Sequence, residues 1–211
     1  MKAALQKSPI SENQAFEVRH LVAPHFDPNW HFHPEYQLFL TLKGTGTRFI
    51  GDHVSPFKEG DLVFTGPNLP HLWQSDHEYF KDDRELVTEG IVIYFPENFL
   101  GKDFLQKNEM YKVKQLFQQA QRGLEIHGQT HQQVSALMHH MLTVTDFEQI
   151  LALLNLLNIL THSSEYKLLT TEGYSNSMKE SETDRMNRVH AYVMKNFREE
   201  IRLDDVAAIA N

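Results

Sequence analysis

Thirteen histidines and the absence of cysteine define the side-chain chemistry open to this chain of 211 residues. Imidazole is a common metal ligand and titrates near neutral pH, so the positions of the histidines matter. The lack of cysteine excludes disulfides, thiolate nucleophiles, zinc fingers and iron–sulfur clusters. Any metal site in this chain must therefore be built from nitrogen and oxygen donors.

Three of the histidines fall in two short segments that could form one site. The first segment, 31–37, has the sequence HFHPEYQ, and the second, 60–71, ends in the third histidine. Residues two apart on a β-strand share a face. Four side chains should then point one way, although Pro34 could disturb the pleat: His31, His33, Glu35 and Gln37. Three imidazoles and one oxygen donor are a ligand set for a first-row divalent metal.

The histidine cluster has three interpretations at the level of sequence. It could hold a structural or adventitious metal, bind an organic ligand without metal, or carry a catalytic metal. Aromatic residues crowd the same region, and Trp30 and Trp73 flank the histidines in sequence. Flat ligands pack against aromatic faces, so both tryptophans are candidates to line a pocket. The other ten histidines are expected to be ordinary polar residues.

The region that carries the cluster is built from short β-rich runs separated by glycine, proline and asparagine turns. The runs cover residues 16–21, 37–42, 47–50, 62–64 and 90–95. Short strands at this spacing predict an antiparallel sandwich or barrel.

After Pro96 the apolar residues change to helical spacing, over 110–124, 134–142 and 147–160. Thr145 and Glu148 predict a capping box at the start of the third helix. That helix is apolar over most of its circumference, so it must be buried on several sides or packed against another subunit. A segment rich in Ser, Thr, Glu and Asn follows, and two more helical patterns begin near 186 and 203.

The histidine segments resemble the signature motifs of the cupin barrel, a small double-stranded β-helix. The HxH of 31–33, the hairpin with Gly44 and Gly46, and the segment 60–71 carry the resemblance. It implies that the metal-ligand histidines are His31, His33 and His71. The family's ligand glutamate would fall at Gln37 or Leu38, and strand parity favours Gln37. A neutral amide is a weaker ligand than a carboxylate, which counts against a catalytic metal. Glu35 could substitute, but its spacing does not fit the motif.

The C-terminal patterns resemble the opening of the AraC/XylS-type DNA-binding domain. Residues 188–197 (RVHAYVMKNF) match a helix ending in Asn-Phe, and 201–211 (IRLDDVAAIAN) match the first helix of a helix-turn-helix. The pattern stops before the recognition helix, which reads bases in the major groove. Residues 184–211 hold five basic and five acidic residues, so no basic face compensates. No complete set of DNA-binding residues is therefore expected, and we expect DNA contact only through a missing C-terminal part.

The combined resemblance predicts a fold class and a division of the chain. The fold expected is a β-barrel (cupin, double-stranded β-helix) followed by an α-helical segment, all-β plus all-α. Four parts are expected: a cupin-type ligand-binding barrel (1–95), a helical dimerisation region (96–163), a linker (164–183) and the truncated start of a helix-turn-helix domain (184–211).

The function that the resemblance implies is the ligand-sensing and dimerisation part of an AraC-type transcription regulator, with no enzymatic activity. A small-molecule effector, with a sugar as the family-level expectation, would be bound by His31, His33, Gln37, His71, Trp30 and Trp73. The resemblance leaves open whether the three histidines also hold a divalent metal ion. A homodimer would form through the helices of 110–162.

Charge and hydropathy limit the other classes. A net charge of −8 argues against a general polyanion binder. No signal peptide or membrane span is recognisable, so we expect a cytoplasmic protein. The main alternative function is a metal-dependent cupin enzyme, a dioxygenase or an isomerase. A storage or carbohydrate-binding cupin is a third.

Overall fold

The structure is a computed structural model that describes residues 9–81, 86–174, 188–189, 192–193, 196 and 201–210. The strands are β1 (Glu17–Ala23), β2 (Tyr36–Lys43), β3 (Gly46–Ile50), β4 (His53–Phe57), β5 (Leu62–Thr65), β6 (His71–Ser75), β7 (Thr88–Phe95), β8 (Leu124–Ile126) and β9 (Tyr166–Leu168). The α-helices are α1 (Tyr111–Ala120), α2 (Gly128–Met141), α3 (Asp146–Thr161) and, among the residues described near the C-terminus, α4 (Leu203–Ala210). Short 3-10 turns lie at His77–Phe80, Phe104–Gln106 and Asn108–Met110.

The strands form two antiparallel sheets that enclose an apolar interior. The larger sheet has the order β1-β7-β2-β5-β8-β9, and the smaller has the order β4-β3-β6. Side chains from both sheets meet in one buried cluster, which includes Phe39, Ile50, Trp73 and Val92. The expectation of a β-barrel followed by helices is confirmed. No described helix is long and apolar enough to cross a membrane.

A second buried cluster lies between the larger sheet and the helices. Strand β2 joins the two clusters, because its alternate side chains face opposite sides of the sheet. Leu38 and Leu40 contact the helical layer, while Phe39 between them faces the barrel interior. The strand is buried on both faces from Tyr36 to Thr41, so it shows no alternation of apolar and polar residues.

The sheet takes strands from regions where the sequence predicts none. β4 and β6 lie between the predicted runs, and β8 and β9 lie beyond residue 95. β8 pairs with β5, and β9 pairs with β8, so the sheet extends past the predicted barrel boundary. β9 also occupies part of the predicted linker, 164–183. A strand of three residues is too short to show an alternating pattern.

Helices form in all three predicted segments between 110 and 160, but Leu124, predicted at the end of the first helix, lies on β8. The predicted capping box is wrong. The Thr145 hydroxyl donates to the Asp146 carboxylate at 2.9 Å and does not cap α3. The Glu148 carboxylate lies 3.8 Å from His140 Nε2 instead of returning to the N-cap. Helix α4 agrees with the pattern from Leu203, whereas the predicted helix from Met186 lies mostly outside the described residues.

A buried arginine joins the two sheets. The Arg48 guanidinium, on β3, donates to both carboxylate oxygens of Asp61 at 2.7 and 2.8 Å and to the Ser55 hydroxyl at 3.0 Å. It also donates to the carboxylate of Glu125 on β8. Arg48 is 1% exposed, so its charge is compensated by these partners and not by water. β8 is thereby tied to the smaller sheet across the barrel.

We expect Arg48→Met to lower the free energy of unfolding by about 3 kcal/mol, at the low end of the range for breaking a buried ion pair, because it leaves the partly buried carboxylates of Asp61 and Glu125 without their cation. Arg48→Lys keeps the charge but lacks the planar fork, so its loss should be intermediate. The matched control is Arg19→Met, since Arg19 forms an exposed pair with Glu17 and such pairs contribute about 0–1 kcal/mol. Urea unfolding measures all three, and equal losses for the two Met variants would contradict the role of Arg48.

Candidate metal and ligand site in the barrel

The three histidines are brought together by backbone pairing. The His31 amide donates to the His71 carbonyl at 3.2 Å, and the His71 amide returns a bond to the His31 carbonyl at 2.9 Å. The Asn68 amide donates to the His33 carbonyl at 2.8 Å. Residues 31–35 do not continue strand β2, which begins only at Tyr36, so the pleat is interrupted near Pro34. Pro34 has no amide hydrogen to donate to a ladder, which favours the observed bend.

The imidazoles form a compact, buried triad. The ring centroids of His31 and His71 are 4.5 Å apart, those of His33 and His71 are 5.0 Å apart, and those of His31 and His33 are 6.0 Å apart. One nitrogen from each ring lies within 4.8 Å of the other two. His33 and His71 are each 1% exposed. The sequence therefore brings three imidazoles to one point inside the barrel.

Backbone carbonyls fix the orientation and tautomer of two of the rings. Nδ1 of His31 lies 2.7 Å from the Asn29 carbonyl, and Nδ1 of His71 lies 2.7 Å from the Leu69 carbonyl. A carbonyl only accepts, so Nδ1 carries the proton and Nε2 of the neutral ring presents a lone pair. Metal-binding histidines are held by the same kind of outer hydrogen bond.

Gln37 and Glu35 occupy different positions around His33. The Gln37 amide oxygen lies 3.1 Å from His33 Nε2, inside the barrel. The carbonyl and carboxylate oxygens of Glu35 lie 3.2 and 3.4 Å from His33 Nδ1, on the other edge of the ring. Gln37 is thus next to the triad, while Glu35 lies behind His33 and orients it.

Burial keeps two of the imidazoles neutral. The pKa of His71 is well below its usual value, because of burial and the nearby rings of His31 and His33. The pKa of His31 is also lowered, chiefly by burial. Both rings therefore retain their lone pairs at neutral pH. Among the residues that the structure describes, none forms a hydrogen bond with His71 Nε2, although leaving a buried polar atom unsatisfied costs roughly 1–3 kcal/mol.

The donor set fits a small divalent cation after a modest contraction. Imidazole and oxygen donors lie about 2.1 Å from zinc-like ions, so two donors of one ion are at most about 4.2 Å apart. The ligand nitrogens of the three histidines lie within 4.8 Å of one another, so their separation exceeds the limit of about 4.2 Å by at most about 0.6 Å. The distance of 3.1 Å between the Gln37 amide oxygen and His33 Nε2 is already shorter than about 4.2 Å. The triad could hold a metal ion, with Gln37 as an oxygen donor beside it.

A small cavity of about 90 Å³ adjoins the triad. Of the predicted site residues, His31, His71, Gln37 and Trp73 line it. Trp30 is buried but is not part of this lining. An apolar cavity of about 150 Å³ is needed to hold benzene, so a sugar ring would require the walls to move apart.

The sequence prediction did not assign a role to Tyr94, which lines the same cavity. Its ring packs edge-on against His33, with centroids 5.2 Å apart, and burial raises its pKa to about 12. Tyr94 lies two residues after Val92 on β7, and Val92 is part of the barrel interior. Strand parity could therefore have placed Tyr94 inside the barrel.

Comparisons with known proteins agree with this architecture. Residues 18–81 match the family model of the Cupin domain. An RmlC-like cupin family protein with a double-stranded β-helix fold from Methanocaldococcus jannaschii is 25% identical, with a TM-score of 0.30, over 38% of this chain and 70% of that one. Bacillus subtilis oxalate decarboxylase is 19% identical, with a TM-score of 0.32, over 40% of this chain and 22% of that one.

The AraC-like transcriptional activator CuxR is 10% identical, with a TM-score of 0.48, over 95% of this chain and 68% of that one. A comparison with curated proteins gives no match. The match over residues 18–81 shows that the chain contains a cupin domain. With the two sheets and the helices that follow them, it confirms the predicted fold class, a cupin barrel followed by helices.

The lowered pKa values of His31 and His71 predict that stability falls in mild acid. Below about pH 6.5 the unfolded chain takes up protons that the folded rings resist, so the free energy of unfolding decreases by up to about 1.4 kcal/mol per pH unit for each group. His71→Gln should remove one such contribution and flatten the curve between pH 6.5 and the folded pKa. Urea unfolding at several pH values measures it.

His139→Gln is the control, because His139 is exposed on α2 and should leave the slope unchanged. An equal pH slope in the His71 and His139 variants would show that the buried ring does not resist protonation.

Proposed function

We propose that this chain is the ligand-sensing and dimerisation part of an AraC-type transcription regulator, with its effector held at His31, His33 and His71. The observation that carries the proposal is the convergence of three imidazoles inside the barrel, two of them oriented by backbone carbonyls. A fold needs no such cluster for stability. Buried, unsatisfied nitrogen is costly, and a ligand that accepts the free lone pair removes the cost.

The occupant that this site suits best is a divalent metal ion with a small ligand. The cavity of about 90 Å³ admits an ion and a few atoms more. His31, His33 and His71 would hold the ion, with Gln37 beside them. A metal bound there supplies a Lewis acid that fixes an oxygen of the effector. Trp73 and Tyr94 form the apolar wall that excludes water from the contact.

A sensor fits this donor set better than an enzyme does. Gln37 stands where the family resemblance expects a glutamate, so a metal at the triad would have no carboxylate ligand from that position. The one buried carboxylate nearby, Glu35, contacts the opposite edge of His33. Catalytic sites need a group that moves a proton near the bound substrate. With the histidines committed to the metal, the one carboxylate among the residues lining the cavity is Asp27, at its rim.

The site connects to the segment that leads toward the C-terminus. The Leu69 carbonyl that holds His71 belongs to a residue whose side chain packs around Gly123, as does that of Leu169. Leu169 is buried in the barrel cluster, and the Arg122 guanidinium donates to the Thr170 carbonyl at 2.7 Å. A shift of His71 on binding would therefore reach Leu169 and Thr170. Thr170 lies 14 positions before residue 184, where we place the start of the DNA-binding domain (184–211).

Helix α3 supports the proposed dimer. Leu153, Leu156 and Leu157 are buried in the apolar cluster that α3 shares with α1 and α2. Phe147 and Leu151, four residues apart, remain 67% and 50% exposed. Residues at this spacing lie on the same face of a helix, so α3 presents apolar side chains to solvent as well as to the core. We assign this face to the homodimer interface within 96–163.

Metal binding tests the proposed site directly. Chelator-treated protein titrated with Co²⁺, followed by visible absorption and calorimetry, should take up one equivalent. His33→Gln and His71→Gln should each weaken binding by at least about 100-fold, since loss of even an outer-shell partner costs 10–100-fold. Gln37→Glu should strengthen binding, because it adds a charged oxygen donor.

The control for metal binding is His131→Gln, a histidine of α2 outside the triad. Failure of the wild-type protein to bind Co²⁺, or equal binding by the control and the triad variants, would contradict a metal at this site. Turnover of a substrate by the metal-loaded protein would favour the enzyme alternative over the sensor.

Sedimentation tests the dimer. The wild-type chain should sediment as a dimer at micromolar concentration, and Phe147→Ser combined with Leu151→Ser should raise the dissociation constant by at least about 100-fold, as loss of two central apolar contacts does. Val54→Ser removes an apolar side chain of similar exposure, 57%, from β4 and should leave the dimer intact. A monomeric wild-type chain would exclude this interface.

A further inference from the structure

A second and larger cavity lies outside the barrel, between the sheet and α1. It has a volume of about 680 Å³, within the roughly 300–1,000 Å³ of small-molecule sites. Its walls are the turn after β7 (96–98), the stretch 102–106 and one side of α1. We call it the α1 groove. None of the residues predicted from the sequence to bind the effector lines it.

The floor of the α1 groove is apolar. The rings of Tyr36 and Phe117 stack with centroids 4.2 Å apart, and Leu105 lies beside them as a buried lining residue. Burial raises the pKa of the Tyr36 phenol, and the carboxylate of Glu97 raises it further. The phenol therefore stays neutral and can donate a hydrogen bond. An aromatic floor of this kind suits the apolar body of a ligand.

The rim of the α1 groove is polar and carries a local excess of positive charge. Lys102 and Lys114 line it together with a single carboxylate, Glu97, which leaves one positive charge in a chain whose net charge is −8. Lys114 Nζ donates to the Gln106 amide oxygen at 3.2 Å, so its ammonium is directed toward the opposite wall. Four amide side chains complete the rim: Asn98, Gln106, Gln118 and Gln121.

The helical spacing explains why these groups converge. Lys114 and Gln118 lie four residues apart on one face of α1, and Gln121, the C-cap residue with helical backbone angles, follows three residues later on the same side. Lys112 has the same charge and lies on the same helix, but it is exposed and does not line the groove. The chain thus contains its own matched control for the charge of the groove.

We propose that the α1 groove binds a small organic anion. Its acidic group pairs with Lys102 and Lys114, and its apolar body lies on the floor formed by Leu105, Phe117 and the edge of Tyr36. The amides of the rim satisfy the remaining polar atoms of the ligand. An apolar base with a few placed polar groups is the usual composition of a small-molecule site. The proposal is independent of what the barrel holds.

The probe for the test is 8-anilinonaphthalene-1-sulfonate, an aromatic sulfonate whose fluorescence rises on binding. It should bind the full chain with one high-affinity site. Lys114→Gln and Lys102→Gln should each weaken binding about fivefold, the factor expected for a partly exposed ion pair worth about 1 kcal/mol. The double variant should weaken it by more than about tenfold. Lys112→Gln should leave the dissociation constant unchanged, and circular dichroism checks that all variants fold.

Two further measurements separate the α1 groove from other apolar surfaces. N-phenyl-1-naphthylamine has the same rings without the sulfonate, so it should bind at least about tenfold more weakly. Phe147→Ser combined with Leu151→Ser removes the exposed face of α3 and should not affect the high-affinity site. Equal binding of the two probes, equal effects of Lys112→Gln and Lys114→Gln, or loss of the site in the α3 variant would each overturn the proposal.

Discussion

Strand β2 is buried on both faces, and this constraint determines the rest of the structure. Leu38 and Leu40 must contact the helices, so Gln37 and Phe39 must enter the barrel. A shift of one residue in its pairing with β5 and β7 would exchange the two sets and place a polar amide in the helical core. The position of Gln37 beside the histidines therefore follows from the packing of the helical layer.

The histidine triad illustrates how buried polar groups can be stable and still reactive. A neutral imidazole has one donor and one acceptor, and both need partners when water is excluded. The carbonyls of Asn29 and Leu69 accept from the Nδ1 atoms, and the charged forms are disfavoured by burial. The Nε2 lone pairs of His31 and His71 are therefore left without a proton. These lone pairs attract an electrophile, a metal ion or a hydrogen-bond donor. They repel an anion unless a cation is bound with it.

The sequence predicted the parts of the fold that are long or carry rare residue types. Three helices and the main strands have clear periodicity, and the HxH and His71 segments were visible as a set. The backbone bridge between His31 and His71 was not visible, because it depends on a bend near Pro34 that strand periodicity does not indicate. β8 and β9 are too short to detect, and the Arg48 network joins residues far apart in sequence. The α1 groove depends on tertiary packing of common residues, which no local pattern indicates.

The two cavities lie on opposite sides of one stretch of backbone. Pro34 and Tyr36 line the α1 groove, whereas His33 belongs to the triad and Gln37 lines the barrel cavity. Residues 33–37 thus alternate between the two sites. An occupant that displaces this segment from either side would move residues of the other, since one backbone carries both sets. By linkage, each occupant would then change the affinity for the other by the same factor. Displacement of residues 33–37 is thus the route by which the large groove and the small barrel cavity would be energetically coupled.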